Sequence, residues 1–270
     1  MRIITLIENT PGAPGCVHEH GLSLYVETAR HTLLMDTGAT GAFADNAAAL
    51  GLDLSRVDTV VLSHGHYDHA GGLLRLVELA PHAQIYMQRG AGRDFYHGER
   101  YIGIDKAILD LPNLHLLDGD CRLDEELFLF AGITGRRFWP RSNLELRTTA
   151  PDGTPVQDDF SHEQCLVIAQ EGKHILLSGC AHNGILNILD RYRQLFGADP
   201  DVAVSGFHMK QADPYTPEEW AVIDDTAREL ARYHTRFYTG HCTGKPAQER
   251  LLARMGDQLH PLHSGLPLDL

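Results

Sequence analysis

The stretch Ser63-His64-Gly65-His66-Tyr67-Asp68-His69-Ala70-Gly71-Gly72 places four side chains able to bind a metal within six residues. Alternate positions of an extended segment point the same way, so His64 and His66 can share one metal, while the adjacent Asp68 and His69 can turn toward a second. Gly65, Gly71 and Gly72 remove side chains that would block so tight a path. A lone histidine in a loop reads as a solvated residue. Three histidines and an aspartate at this spacing, directly after a buried strand, read as a metal centre. No paired C-x-x-C is present to close the site with thiolates, which argues against a structural zinc finger.

Each metal needs further ligands, and the second half of the chain offers them at strand ends. Apolar runs at Cys165–Ala169, His174–Leu177, Val202–Ser205 and Arg236–Thr239 read as strands. They lead into Ser178-Gly179-Cys180-Ala181-His182-Asn183-Gly184, Gly206-Phe207-His208-Met209-Lys210 and Gly240-His241-Cys242-Thr243-Gly244. His182 and His241 are the natural candidates to complete the two sites. The expected cofactor is two divalent metal ions, zinc first, with manganese or iron also suited to these ligands. A water shared between them would lose its proton near neutral pH and act as nucleophile, with Asp68 both a ligand and a group that orients it. His208 is placed at the substrate as general acid or oxyanion partner, the alternative being a buried, hydrogen-bonded histidine.

The first half must position the histidine loop. Met1 to Glu8 reads as a strand, followed by a Pro/Gly-rich loop, a strand ending at Val26, and a strand from Thr32 to Met35 paired to it through Ala29-Arg30. A helix from Phe43 to Leu50 precedes the strand Val57–Leu62, and a helix from Leu73 to Leu79 and a strand from Ala83 to Met87 follow the loop. In the second half, helices are expected over Ile185–Leu195 and over Pro217–Tyr233, the latter with Thr216 as N-cap. Between Gln88 and Asp159 the pattern weakens, with strands at Leu114–Leu117 and Leu127–Ile133. There Gly135-Arg136-Arg137-Phe138-Trp139-Pro140-Arg141 is either a solvated connector or a substrate cap supplying aromatic stacking and anion recognition.

The chain has 270 residues, 43% of them hydrophobic, enough for a sizeable core. Its formal charge of −13 opposes binding to nucleic acid or anionic membranes, both of which need clustered Lys and Arg. No apolar run is long enough to span a bilayer and the N-terminus lacks a signal-peptide pattern, so a cytoplasmic protein is expected. Five scattered cysteines fit a reducing compartment rather than a disulfide framework. The expected partner is a small-molecule substrate, with room for a homo-oligomer.

The histidine loop resembles the metal-binding motif of the metallo-β-lactamase superfamily. With Glu19-His20-Gly21-Leu22-Ser23, Gly179–Gly184, Gly206-Phe207-His208 and His241–Gly244, it resembles one subfamily. That subfamily is commonly labelled 7,8-dihydropterin-6-ylmethyl-4-(β-D-ribofuranosyl)aminobenzene 5′-phosphate synthase. The resemblance implies an α/β fold, a four-layer αββα sandwich of two mixed sheets flanked by helices, with the metals at the open edge between the sheets. Chain length fits one domain over 1–270, with room for a cap insertion around 88–158. The resemblance makes Asp36 a buried carboxylate bracing the metal loop and sets His20 beside the substrate or the ligands. Two departures stand out: Asp159 where many members carry a histidine ahead of a strand, and Cys180 where they carry a metal-bridging aspartate. Asp159 is then a ligand or a supporting group, and Cys180 is expected to be buried rather than bridging. The implied activity is a hydrolase or related transferase acting on a small anionic, phosphorylated or pterin-like metabolite. Alternatives of the same fold are a mononuclear iron oxygenase, told apart by its metal, and a non-catalytic metabolite-binding protein.

Overall fold

A computed structural model describes residues 1–150, 152–211 and 214–270. Two large sheets form its centre. The first has six strands in the order Arg2–Ile7, Ser23–Glu27, Thr32–Met35, Thr59–Val61, Gln84–Gln88, Leu114–Leu117. Its first three strands pair antiparallel and the rest parallel, so the sheet is mixed. The second has seven, in the order Leu259–Pro261, Arg236–Thr239, Val202–Val204, Lys173–Leu177, Cys165–Gln170, Leu127–Phe130, Cys121–Arg122. Parallel pairing joins its first four strands and antiparallel pairing the others.

Side-chain alternation decides what each sheet faces. Leu24, Val26, Leu33, Met35 and Val61 of the first sheet meet Leu166, Ile168, Ile175, Leu177 and Val204 of the second in a core between the sheets. Tyr25, Leu34 and Val60 point the other way and pack under the helices Ala42–Ala49 and Leu73–Leu79. On the far side, Val167, Leu176, Ala203 and Phe237 pack under the helices Ile185–Phe196, Pro217–Leu230 and Lys245–Met255. Because both faces of each sheet are covered, strands such as Thr59–Val61 are buried throughout and read as continuous apolar runs. The architecture is the expected four-layer αββα sandwich.

Local chemistry explains the element ends. Thr216 caps the helix Pro217–Leu230 through a capping box with Glu219, with Pro at the start. That helix stops three residues short of the expected Tyr233. The sequence reading also ended before the helix Lys245–Met255 and the strand Leu259–Pro261, which add a layer element and the edge of the second sheet. The weak stretch holds a small third sheet, in the order Pro155–Gln157, Leu146–Thr149, Phe95–His97, Arg100–Tyr101. Its own core is Phe95, Ile102, Leu146 and Phe160, with Tyr67 and Trp139 packed against them. A backbone bridge between His66 and Gly103 ties this sheet to the histidine loop. Among the described residues no helix is long and apolar enough to cross a membrane.

Candidate metal centre

The strand Thr59–Val61 runs on in extended backbone to His66 (φ −99°, ψ 146°), where a single helical turn, Tyr67–Ala70, begins. Extended geometry orients His64 and His66, and the turn swings Asp68 and His69 to a second position. Gly65 is required here, since a Cβ would sit 2.4 Å from the Ala91 carbonyl oxygen. On the other side of the centre, three loops from the second sheet turn through left-handed residues: Ala181 (φ 50°), His208 (φ 50°) and His241 (φ 51°). Asp36 (φ 62°) does the same at the end of Thr32–Met35. Such backbone costs on the order of 1 kcal/mol per non-glycine residue and persists only where the surroundings hold it. Two buried carboxylates hold two of these turns. Glu163 accepts the backbone N–H groups of His182 (2.6 Å) and Asn183 (2.9 Å), while Glu8 accepts that of His241.

Two groups of donors result. In the first, the ligating atoms of His64, His66 and His182 lie within 4.8 Å of one another, with Nε2 of His64 and Nε2 of His182 3.3 Å apart. In the second, His69 Nε2 is 3.2 Å from His241 Nε2, which is 3.4 Å from Asp68 Oδ2. The tautomers follow from the partners of the opposite ring nitrogens. His69 Nδ1 donates to Asp36 Oδ2 (2.6 Å), His241 Nδ1 to Asn9 Oδ1 (2.9 Å), and His182 Nδ1 to Asn143 Oδ1 (3.0 Å). Ser63 Oγ donates to Asp36 Oδ2 (2.7 Å) and so accepts from His64 Nδ1 (2.8 Å). The neutral rings of His64 and His182 therefore turn Nε2 lone pairs toward each other, and two lone pairs at 3.3 Å cannot hydrogen-bond to each other. The spacing matches the edge of a tetrahedron of ligands about 2.0–2.1 Å from zinc, roughly 3.3 Å. Nε2 of His66 is buried with no partner.

The electrostatics of the two groups differ. Burial pushes the imidazoles of His64, His66 and His182 down, His66 to about 3, and neighbouring imidazoles add to the effect. Burial also works against a charged His69, but the Asp36 carboxylate outweighs it and pulls that ring up to about 9. Burial would raise Asp68, yet the hydrogen bonds from His20 and His241 hold it well below the usual carboxylate range.

The remaining expected residues fall in distinct places. His20 is exposed, with Nε2 3.1 Å from Asp68 Oδ2. Asp36 is fully buried and holds Ser63 and His69 together. His208 lies against His182, ring centroids 4.1 Å apart with the planes tilted by 54°, and both its ring nitrogens are buried without a partner. Cys180 is buried, as expected, but its sulfur lies inside the cluster, 3.1 Å from His69 Nε2. Burial pushes its thiol well up. Asp159 requires correction: it is exposed, and its carboxylate accepts only the Ser161 N–H in a local turn. The neighbouring Asp158 is the buried one and pairs with His162 (3.1 Å). His162 also corrects the view that no histidine precedes this strand. Its Nδ1 accepts the Gly65 N–H (3.1 Å), so both ring nitrogens are engaged and the ring backs the ligand loop. Sequence reasoning also missed Glu8, Asn9, Ser63, Asn143 and Glu163 as supports.

Comparison with known proteins places the chain. The metallo-beta-lactamase superfamily profile matches residues 18–232. A 7,8-dihydropterin-6-methyl-4-(beta-D-ribofuranosyl)-aminobenzene-5'-phosphate synthase of Methanocaldococcus jannaschii is 26% identical, over 98% of this chain and 95% of its own. A hydroxyacylglutathione hydrolase of Aeromonas hydrophila is 35% identical over 63% of each chain. The crystal structure of Tm1679, described as a metal-dependent hydrolase of the beta-lactamase superfamily, superposes with a TM-score of 0.83 at 30% identity, covering all of this chain and 99% of that one. With its sandwich of two mixed sheets and a donor cluster between their ends, this chain belongs to the metallo-β-lactamase superfamily.

Proposed function

We propose that the chain is a binuclear metal-dependent hydrolase, or a related transferase, acting on a small anionic metabolite. The observation that carries this reading is the facing Nε2 lone pairs of His64 and His182, locked by their Nδ1 donors and crowded to 3.3 Å, an arrangement that a cation between them relieves. His64, His66 and His182 would hold one metal, and Asp68, His69 and His241 the other. When bound, such metals supply Lewis acidity and bring a water toward ionisation near neutral pH. The chain's own groups do the rest. Asp36 fixes two of the ligand rings at once through Ser63 Oγ and His69 Nδ1. His208, with two free ring nitrogens beside His182, is placed to move a proton to or from a substrate oxygen.

A small cleft lined by His208, Phe138, Pro140, Arg141, Met209 and Glu219, the last held in its helix cap, opens beside that histidine. Arg141 has no carboxylate partner among the described residues, so it can meet an anionic substrate, and Phe138 supplies an aromatic face. The name of the full-length relative, a dihydropterin–aminobenzene phosphate synthase, supports a phosphorylated heteroaromatic substrate. The test is to strip the protein with a chelator, reload it separately with zinc, manganese and iron, and assay phosphodiesters, lactones and phosphorylated pterins. Turnover that disappears on stripping and returns with one metal supports the reading. Tight metabolite binding without turnover under any metal supports a non-catalytic protein instead.

A further inference from the structure

We propose that Cys180 supplies a thiolate that bridges the two metal positions. This rests on the two-metal reading above and adds a ligand to it. Its sulfur is 3.1 Å from His69 Nε2 in the carboxylate-bearing group. It also lies within 4.8 Å of the ligating atoms of His64, of His182 and His208, and of His241.

The loop that carries Cys180 is built to hold it there. Gly179 lets the turn lie against Ser63, since a Cβ would sit 2.1 Å from Ser63 Oγ. Ala181 turns in left-handed backbone, and the Glu163 carboxylate fixes the N–H groups of His182 and Asn183 immediately after. Cys180 and His182 consequently enter the centre from one rigid turn, one toward each group. Asp36 holds His69 Nδ1, which fixes Nε2 facing the Cys180 sulfur at 3.1 Å. On metal binding the Cys180 S–H proton leaves to solvent and the sulfur becomes an anionic ligand. A thiolate in this place favours zinc or iron over manganese, which prefers oxygen donors. A second buried thiol, Cys242, lies within 4.8 Å of Cys180 but donates toward the Cys180 carbonyl (3.5 Å) and serves as the internal comparison.

The experiment is X-ray absorption at the zinc edge on the zinc-loaded, full-length protein, with metal content measured on the same samples. The proposal expects a sulfur shell at about 2.3 Å beside nitrogen and oxygen at about 2.0–2.1 Å, averaging about one sulfur per zinc. Cys180→Ser should lose that shell and Cys242→Ser should keep it. Zinc bound with only nitrogen and oxygen neighbours would overturn the bridging thiolate and leave the two-metal reading standing. A sulfur shell that survives Cys180→Ser and vanishes in Cys242→Ser would also overturn it. Protein that takes up no zinc would overturn both.

Discussion

The two donor groups arise from consecutive pairs on one loop, yet they are stabilised in opposite senses. His64, His66 and His182 form an all-imidazole group whose charged forms burial opposes, with Ser63 and Asn143 as neutral supports. Asp68, His69 and His241 form a carboxylate-bearing group, with Asp36 behind it and His20 at its rim. One group is poised as neutral donors; the other already carries opposed charges. A metal arriving at the first meets lone pairs only, while at the second it must displace the interactions among Asp68, His20 and His241.

The largest effect should come from removing one histidine of each group. His182→Ala and His241→Ala should each lose about one metal equivalent, and turnover should fall beyond the roughly 10- to 100-fold typical of losing a supporting partner. Metal content and kcat/KM read this directly. If either variant loses both metals, the groups behave as one unit and the contrast between them fails.

Next in size are the supports. Asp36 serves His69 directly and His64 through Ser63, whereas Asn143 serves His182 alone. Asp36→Ala should weaken metal binding at both positions, and Asn143→Ala at one, by roughly 10- to 100-fold. Calorimetric titration with zinc resolves the two steps.

The metal-free protein should sharpen the electrostatic contrast. In the unfolded chain these histidines take up protons near pH 6.5, roughly the ordinary value. The folded imidazole group resists protonation, His66 down to about 3. The unfolded state therefore binds more protons across this window, and stability falls as pH drops from about 6.5 toward 3, by up to roughly 1.4 kcal/mol per pH unit for each ring. His69 is the opposite case: with its pKa raised to about 9, its contribution is complete below about 6.5 and fades as pH rises through 9. Urea midpoints of chelator-treated protein across this range check both slopes. The smallest effect belongs to Asp159→Asn, within about 0.5 kcal/mol by urea unfolding, while Asp158→Asn should cost about 1–3 kcal/mol because it disturbs a buried pair with His162.

Much of the layer structure was legible because the signals are local. Apolar runs such as Val57–Leu62 marked buried strands, and Thr216 with Glu219 marked a helix start. The H-x-H-x-D-H spacing marked the donor loop for the same reason, since its meaning depends on neighbours in the chain. The supports were not legible. Asn143 lies 39 residues from the histidine it orients and Glu8 lies 233 residues from the N–H it accepts, and no periodicity links such pairs. The Asp158–Asp159 choice failed differently. Both are aspartates in one turn, and only the left-handed Phe160 (φ 54°) with its buried ring decides which carboxylate turns inward. The small sheet over Phe95–Gln157 was obscured because its strands are two to four residues long and partly exposed.

The most direct test of the account is metal content per chain, by mass spectrometry, for the wild-type protein, His182→Ala and His241→Ala, each loaded with zinc and freed of excess. The account predicts about two equivalents for the wild type and about one for each variant. One equivalent or none in the wild type, or variants that retain the full complement, would contradict it.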